Sequence, residues 1–258
     1  MKNLPKFLAL ILGISFGIVL SLISSVTWAQ TSGKLLVSAA ASLQPVLQEI
    51  RSIDSTKITY NFGSSGALQQ QIEQGAPIDV FISAGVKQMD TLESKGLLSF
   101  KANLLTNQLV LITPKSSPIK LTNFLQLLNA NIKRIAIGET RSVPAGQYAK
   151  EALENLGIFE QLQSKFVLGN NVRFVLTAVE SGEVDAGIIY ITDAKSSDKV
   201  LISAIADQKL YSPIIYPVGI IKSSKNPRAA KGYVEFLQTK AASSVFEKYG
   251  FGVISVKS

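Results

Sequence analysis

Leu109-Val110-Leu111-Ile112-Thr113-Pro114 is an apolar, partly β-branched run that stops at a proline, and it falls where an α/β pattern that has already run through three units begins again. Before it, Leu35 to Ala39, Lys57 to Phe62 and Asp79 to Ser83 read as short strands. Each is followed by an amphipathic stretch: Ser42 through Ile50, Ala67 to a stop at Gly75, and Val86 to a stop at Gly96. After it come a helix near Leu121 to Leu128, a strand at Arg134 to Ile137, and a helix opening at Pro144 and ended by Gly157. A helix from Val172 to Glu180 stops at Gly182, and the buried run Val184 to Ile189 ends in Tyr190. Ile214 to Ile221 is another strand, and Pro227 to Tyr249 is a helical tail.

Short apolar runs alternating with helical periodicity predict parallel sheets covered by helices, the α/β class. In the Pro144 helix, Ala145, Tyr148, Ala149, Ala152, Leu153 and Leu156 recur at spacings of three and four, so that face packs on a sheet. The restart, with strands at Leu109 and Ile214 on either side of the second block, predicts one lobe inserted into another and the flanking strands as the hinge. The expected division is 30–110 with 218–258 for the first lobe and 111–217 for the second.

Composition removes whole classes of chemistry. The 258 residues contain neither Cys nor His, so there is no thiolate or imidazole metal site, no Cys nucleophile and no Ser-His-Asp relay. Lys2 and Lys6, an apolar run from Phe7 to Ile23 and the small-residue site Thr27-Trp28-Ala29 predict an export signal at 1–29 and a periplasmic protein. The apolar run is longer than most signal cores and comes close to the ~18 residues that can span a bilayer, so an uncleaved anchor is the alternative. Removing the signal leaves 24 basic side chains against 18 acidic ones, a charge of +6. These bases are scattered and not interleaved with aromatics, so no nucleic-acid partner is expected, and the field serves better to steer small anions.

In open α/β sheets, ligands lie beyond the carboxyl ends of the strands. Those positions carry Ser42, Ser65, Ala145, Val172 and Tyr190, without an acid at any of them. Helix N-termini bring unpaired N–H groups and a positive dipole end, which makes them anion sites without formal charge. Singly, each residue has a plainer reading: Ser42 as a helix cap, Ser65 as a turn residue, Pro144 as an ordinary first helical residue, and Tyr190 as a core ring with a wet hydroxyl.

Together they fall in a series of motifs. Ala39-Ala40-Ala41-Ser42-Leu43, Phe62-Gly63-Ser64-Ser65-Gly66, Ala76-Pro77-Ile78-Asp79-Val80-Phe81-Ile82-Ser83-Ala84, Val143-Pro144-Ala145-Gly146-x-Tyr148-Ala149, Asn171-Val172-Arg173, Gly187-Ile188-Ile189-Tyr190 and Tyr249-Gly250-Phe251 follow one another along the chain. In order and spacing this series resembles the periplasmic molybdate-binding proteins of ABC importers. The resemblance implies a type II periplasmic-binding-protein fold of two lobes joined by a two-strand hinge. It also implies a molybdate or tungstate ligand, no cofactor, no metal cation and a membrane permease as partner of a monomer. The implied oxyanion contacts are the hydroxyl and N–H of Ser42 and Ser65, the N–H groups of Ala145 and Val172, and the Tyr190 phenol. Three positions depart from the family pattern: Gly66 stands where a third serine often follows, Asn171 where an Asp often precedes the valine, and Arg141 lies near the Pro144 helix opening.

Two rivals belong to other classes. Ser117-x-x-Lys120 and Ser196-x-x-Lys199 match the spacing of Ser-Lys hydrolases, but both lie in polar connecting segments without the partner motifs. Two-lobed modules also serve as effector domains of transcription regulators, whose N-terminus carries a DNA-binding helix pair where this chain has a signal segment. Within the favoured class, another oxyanion such as sulfate is the alternative ligand.

Overall fold

The computed structural model describes residues 34–54 and 56–254, so the expected export signal at 1–29 lies outside the described residues. Eleven strands in this region form two sheets. The six-stranded sheet runs β11-β4-β10-β3-β1-β2, from β1 (Leu35–Ala40), β2 (Ile58–Gly63), β3 (Val80–Ile82), β4 (Leu98–Thr106), β10 (Ile215–Ile221) and β11 (Gly252–Val253). The five-stranded sheet runs β7-β6-β8-β5-β9, from β5 (Leu109–Pro114), β6 (Ile135–Gly138), β7 (Phe166–Gly169), β8 (Ala186–Tyr190) and β9 (Val200–Ile205). In each sheet three adjacent strands are parallel: β2-β1-β3 in the first and β7-β6-β8 in the second. The inner strands β1, β3, β6 and β8 are nearly all apolar and buried, as parallel strands covered on both faces must be, whereas β2 and β7 at the sheet edges are mostly half-buried. The chain changes sheet between β4 and β5 and returns between β9 and β10. The expected division at 110/111 and 217/218 therefore falls inside β5 and β10, each of which lies whole in one sheet.

The helices follow from local sequence. They are α1 (Gln44–Ile53), α2 (Ser65–Glu73), α3 (Val86–Ser94), α4 (Pro144–Asn155), α5 (Phe159–Leu162), α6 (Val172–Glu180), α7 (Ile191–Lys195), α8 (Pro227–Leu237) and α9 (Lys240–Lys248). α1 buries Val46, Leu47 and Ile50, and α4 buries Ala149, Ala152 and Leu153, the apolar stripes that face the sheets. α2, α3, α4 and α6 each end two residues before the glycine expected to stop them, all four with positive φ.

Three local expectations change. Ser42 is not a helix cap: it sits in a 3-10 turn, Ala41–Leu43, ahead of α1, and Leu43 holds the cap position without a side-chain bond. The segment near Leu121 to Leu128 forms only a 3-10 turn, Phe124–Leu128, capped by Asn123. The tail is two helices, because Thr239 accepts a hydrogen bond from the Ala242 N–H and starts α9 afresh.

Asp79 shows how the chain's ends are joined. It is buried, and its carboxylate accepts from the Leu36 N–H at 2.8 Å, the Ser224 hydroxyl at 2.6 Å and the Asn226 amide. One side chain thus ties β1 to the segment that leads from β10 into α8.

Candidate functional site

The carboxyl ends of the two parallel triplets line one small cavity with a free volume of about 10 Å³. From the six-stranded side come the turn after β1 with Ser42, the start of α2 with Ser65, and Ala84 after β3. From the five-stranded side come the start of α4 with Ala145, the start of α6 with Val172, and Tyr190 at the end of β8. All five positions singled out in the sequence line this cavity and all five are buried. The lining contains no Asp, Glu, Lys or Arg.

Each helix start is held in place by sequence. Ser64 caps α2, its hydroxyl accepting from the Ala67 N–H, so Ser65 is the first helical residue and not a turn residue. Pro144 occupies the first turn of α4, and a Cβ on the next residue but one, Gly146, would collide with the Gly138 carbonyl oxygen. That glycine lets α4 start directly against β6 and sets where the Ala145 N–H points. Asn171 caps α6, its Oδ1 accepting from the Phe174 N–H at 3.0 Å, which leaves Val172 at the first position. The neutral amide thus does the capping that a carboxylate does equally well, without a negative charge beside the cavity. Ser65, Ala145 and Val172 lie in the first turns of their helices, where N–H groups have no intrahelical partner.

The hydroxyls are also directed. The Ala84 N–H donates to Ser65 Oγ at 2.9 Å. Ser42 Oγ lies 3.0 Å from the Tyr216 hydroxyl. The Tyr190 hydroxyl donates to the Ala84 carbonyl at 3.3 Å, and its ring meets Tyr216 edge to face with centroids 5.8 Å apart. Burial, with Tyr216, Tyr148 and Asp193 nearby, pushes the Tyr190 phenol well above its ordinary pKa and keeps its hydrogen on.

Two departures have a structural outcome. The Gly66 N–H donates to the Ser142 carbonyl at 3.0 Å, and a Cβ at Gly66 would strike that oxygen. The Ser142 loop is fixed by Glu139, whose carboxylate accepts from the backbone N–H and side chain of both Arg141 and Ser142. Burial opposes ionisation of Glu139, but these bonds outweigh it and hold its pKa below the ordinary value. Arg141 is 91% exposed at its side chain and pairs with Glu139, so it does not line the cavity. The serines of the hydrolase motif lie elsewhere: Ser117 accepts from the Ile119 N–H, and Ser196 accepts from Arg173 and donates to the Asp193 carbonyl.

Sequence reading missed Ala84, Asn107, Ser142, Asp193 and Tyr216. Tyr216 sits inside a strand, and its hydroxyl receives a hydrogen bond from Asn107 Nδ2 at 3.1 Å, 109 residues away. No local pattern announces such a pair.

Residues 35–252 match the family model described as bacterial extracellular solute-binding protein. YvgL of Bacillus subtilis, provisionally named an ABC transporter substrate-binding lipoprotein, is 45% identical over 224 residues, 84% of this chain and 85% of its own length. The molybdate-binding protein ModA of Escherichia coli is 36% identical over 233 residues, 86% of this chain and 90% of its own. Among solved structures, the substrate-binding domain of a provisionally assigned molybdenum ABC transporter from Clostridium difficile is 43% identical, with a TM-score of 0.65 over 87% of this chain and 99% of that one. The two-sheet architecture matches that of the Clostridium difficile domain, and the chain belongs to the bacterial extracellular solute-binding proteins, a family that serves transporters and is not one of enzymes.

Proposed function

We propose that this chain is an exported, monomeric binding protein that captures molybdate or tungstate in the cavity between its two sheets and delivers it to the membrane permease of an ABC importer. The reading is carried by one observation: Ser42, Ser65, Ala145, Val172 and Tyr190 converge from both sheets on a cavity with no charged side chain in its lining. Seven donors are available there, two from each serine and one from each of the other three. At about 1.5 kcal/mol per bond to a charged acceptor they supply roughly 10 kcal/mol, which spans micromolar to nanomolar affinity.

A cavity of donors favours an anion that carries no proton at neutral pH. Hydrogen phosphate brings a proton for which the lining offers no carboxylate, only the Ala84 carbonyl that Tyr190 holds, and a donor left unpaired costs about 1 to 3 kcal/mol. Molybdate and tungstate share charge and tetrahedral shape, so the same donors serve both. The two lobes of this reading correspond to the two sheets, with the chain crossings at 107–108 and 206–214 as the hinge. The relatives whose names specify molybdate point to the same ligand.

Titration calorimetry of the native protein with molybdate, tungstate, sulfate and phosphate tests the proposal. Tight binding of the two metal oxyanions, with phosphate weakest, is the expected order. Preference for sulfate transfers the site to the smaller ion, and heat from none of the four removes the oxyanion reading.

A further inference from the structure

We propose that Asn107 and Tyr216 are positioning residues that fix the direction of the hydrogen in the cavity: a hydrogen-bond chain from Gln108 through Asn107 and Tyr216 to Ser42 compels the Ser42 hydroxyl to donate inward. The inference rests on the oxyanion reading above and adds to it the device that makes the serines donors.

The polarity of the chain follows from its first link. Asn107 Oδ1 accepts from the Gln108 N–H at 2.9 Å, which fixes the amide so that Nδ2, a donor only, faces the interior. That nitrogen donates to Thr192 Oγ1 at 2.9 Å and to the Tyr216 hydroxyl oxygen at 3.1 Å. Tyr216 is wholly buried, so water does not complete its bonding. Burial also pushes its pKa well above the ordinary phenol value, and the hydrogen stays on. With its oxygen receiving from Asn107, the phenol has one hydrogen to give; Ser42 Oγ stands 3.0 Å away to accept it, while the neighbouring Tyr190 hydroxyl is turned to donate to the Ala84 carbonyl. Ser42 then has its own hydrogen to spare, and Ser42 lines the cavity. Ser65 reaches the same state by a separate route, since the Ala84 N–H occupies its oxygen.

Both serines could otherwise rotate and accept. With one lone pair of each serine oxygen already taken, the surroundings turn both hydroxyl hydrogens toward the cavity, so an unprotonated oxyanion gains two oriented donors while a protonated one meets a weaker acceptor set. Asn107 lies at the crossing between the sheets and binds Tyr216 on β10 as well as Thr192 on α7, so the hydroxyl direction is tied to the arrangement of the two lobes.

The test is a set of molybdate affinities by titration calorimetry, with thermal melts as a folding control. N107D replaces the donor by an acceptor of equal shape. Tyr216 then donates to the carboxylate and its oxygen takes the Ser42 hydrogen away from the cavity. The expected loss is about tenfold or more. S42A should lose a similar factor, N107D/S42A no more than either alone, and adding Y216F to N107D should restore most of the affinity because the relay is cut. A loss that persists in N107D/Y216F, or that adds to S42A, is charge repulsion and overturns the proposal, as does an N107D protein with native affinity. If N107D does not fold, Y216F alone decides. Freed from its donor, Ser42 can accept from hydrogen phosphate, so molybdate-over-phosphate preference should fall about tenfold; an unchanged ratio overturns the relay. A native protein that binds no oxyanion fails the underlying site, an outcome visible before any variant is made.

Discussion

Asp193 is buried, and neither oxygen of its carboxylate has a hydrogen-bond partner, Arg173 Nη1 standing 3.8 Å away. Burial raises its pKa from 3.8 to about 7, with Arg173 pulling the other way. Because the folded-state value lies above the unfolded one, the group's contribution to stability is complete below pH 3.8 and is lost as pH rises through about 7. The loss is on the order of 4 kcal/mol. Asp193→Asn should therefore be more stable than the native protein at pH 8 in urea unfolding, with the difference fading toward pH 4; a gain that is the same at both pH values removes burial of charge as the cause. Tyr190 makes a second prediction. Its hydroxyl gives up a long bond to Ala84 when it turns to an anion, so Tyr190→Phe should cost affinity at the low end for a charge-assisted bond, about 1.5 kcal/mol, and leave the melting temperature of the free protein unchanged. Calorimetry showing equal affinity takes Tyr190 out of the site. That Ser42, Ser65 and Tyr190 stand together could be anticipated because each lies at or just beyond the carboxyl end of a strand legible in the sequence. Asn107, Tyr216 and Asp193 could not be, because what they do depends on partners brought close only by the fold.

The starts of α2, α4 and α6 and the loop before α4 form the rim where the two sides meet. Gly66 and Ser142 touch there through backbone alone, and Gly66→Ala would drive a Cβ into the Ser142 carbonyl. Forced overpacking costs about 1 to 3 kcal/mol, so molybdate affinity should fall from about fivefold to a hundredfold while far-ultraviolet circular dichroism stays native. Native affinity in this variant means the rim has room to yield. Helix stops were legible because Gly75, Gly96, Gly157 and Gly182 follow amphipathic stretches. β4, β7 and β9 were not. β4 interleaves Ser99, Lys101 and Asn103 with apolar residues, and β7 and β9 are the two edge strands of their sheet, each paired on one side only among the described residues. Such strands are specified by the neighbour they pair with more than by their own pattern.

The restart at Leu109 was enough to reveal two α/β blocks, but not to place the crossings, because β5 and β10 each resemble any buried strand and their sheet membership is a tertiary property. If an anion bridges both blocks, it stabilises the folded protein by mass action. At a free concentration a hundred times the dissociation constant the gain is about 2.7 kcal/mol, or roughly 5 to 10 °C in melting temperature for a chain of this size. A scanning calorimetry trace unmoved by saturating molybdate contradicts a ligand held between the two sides. The most direct test of the account is competition in one vessel: native mass spectrometry of the purified protein offered molybdate, tungstate, sulfate and phosphate at equal concentration. The account predicts one molybdate or tungstate retained per chain, with phosphate excluded; a protein that retains phosphate, or emerges with no anion bound, contradicts the claim that neutral donors alone build this site.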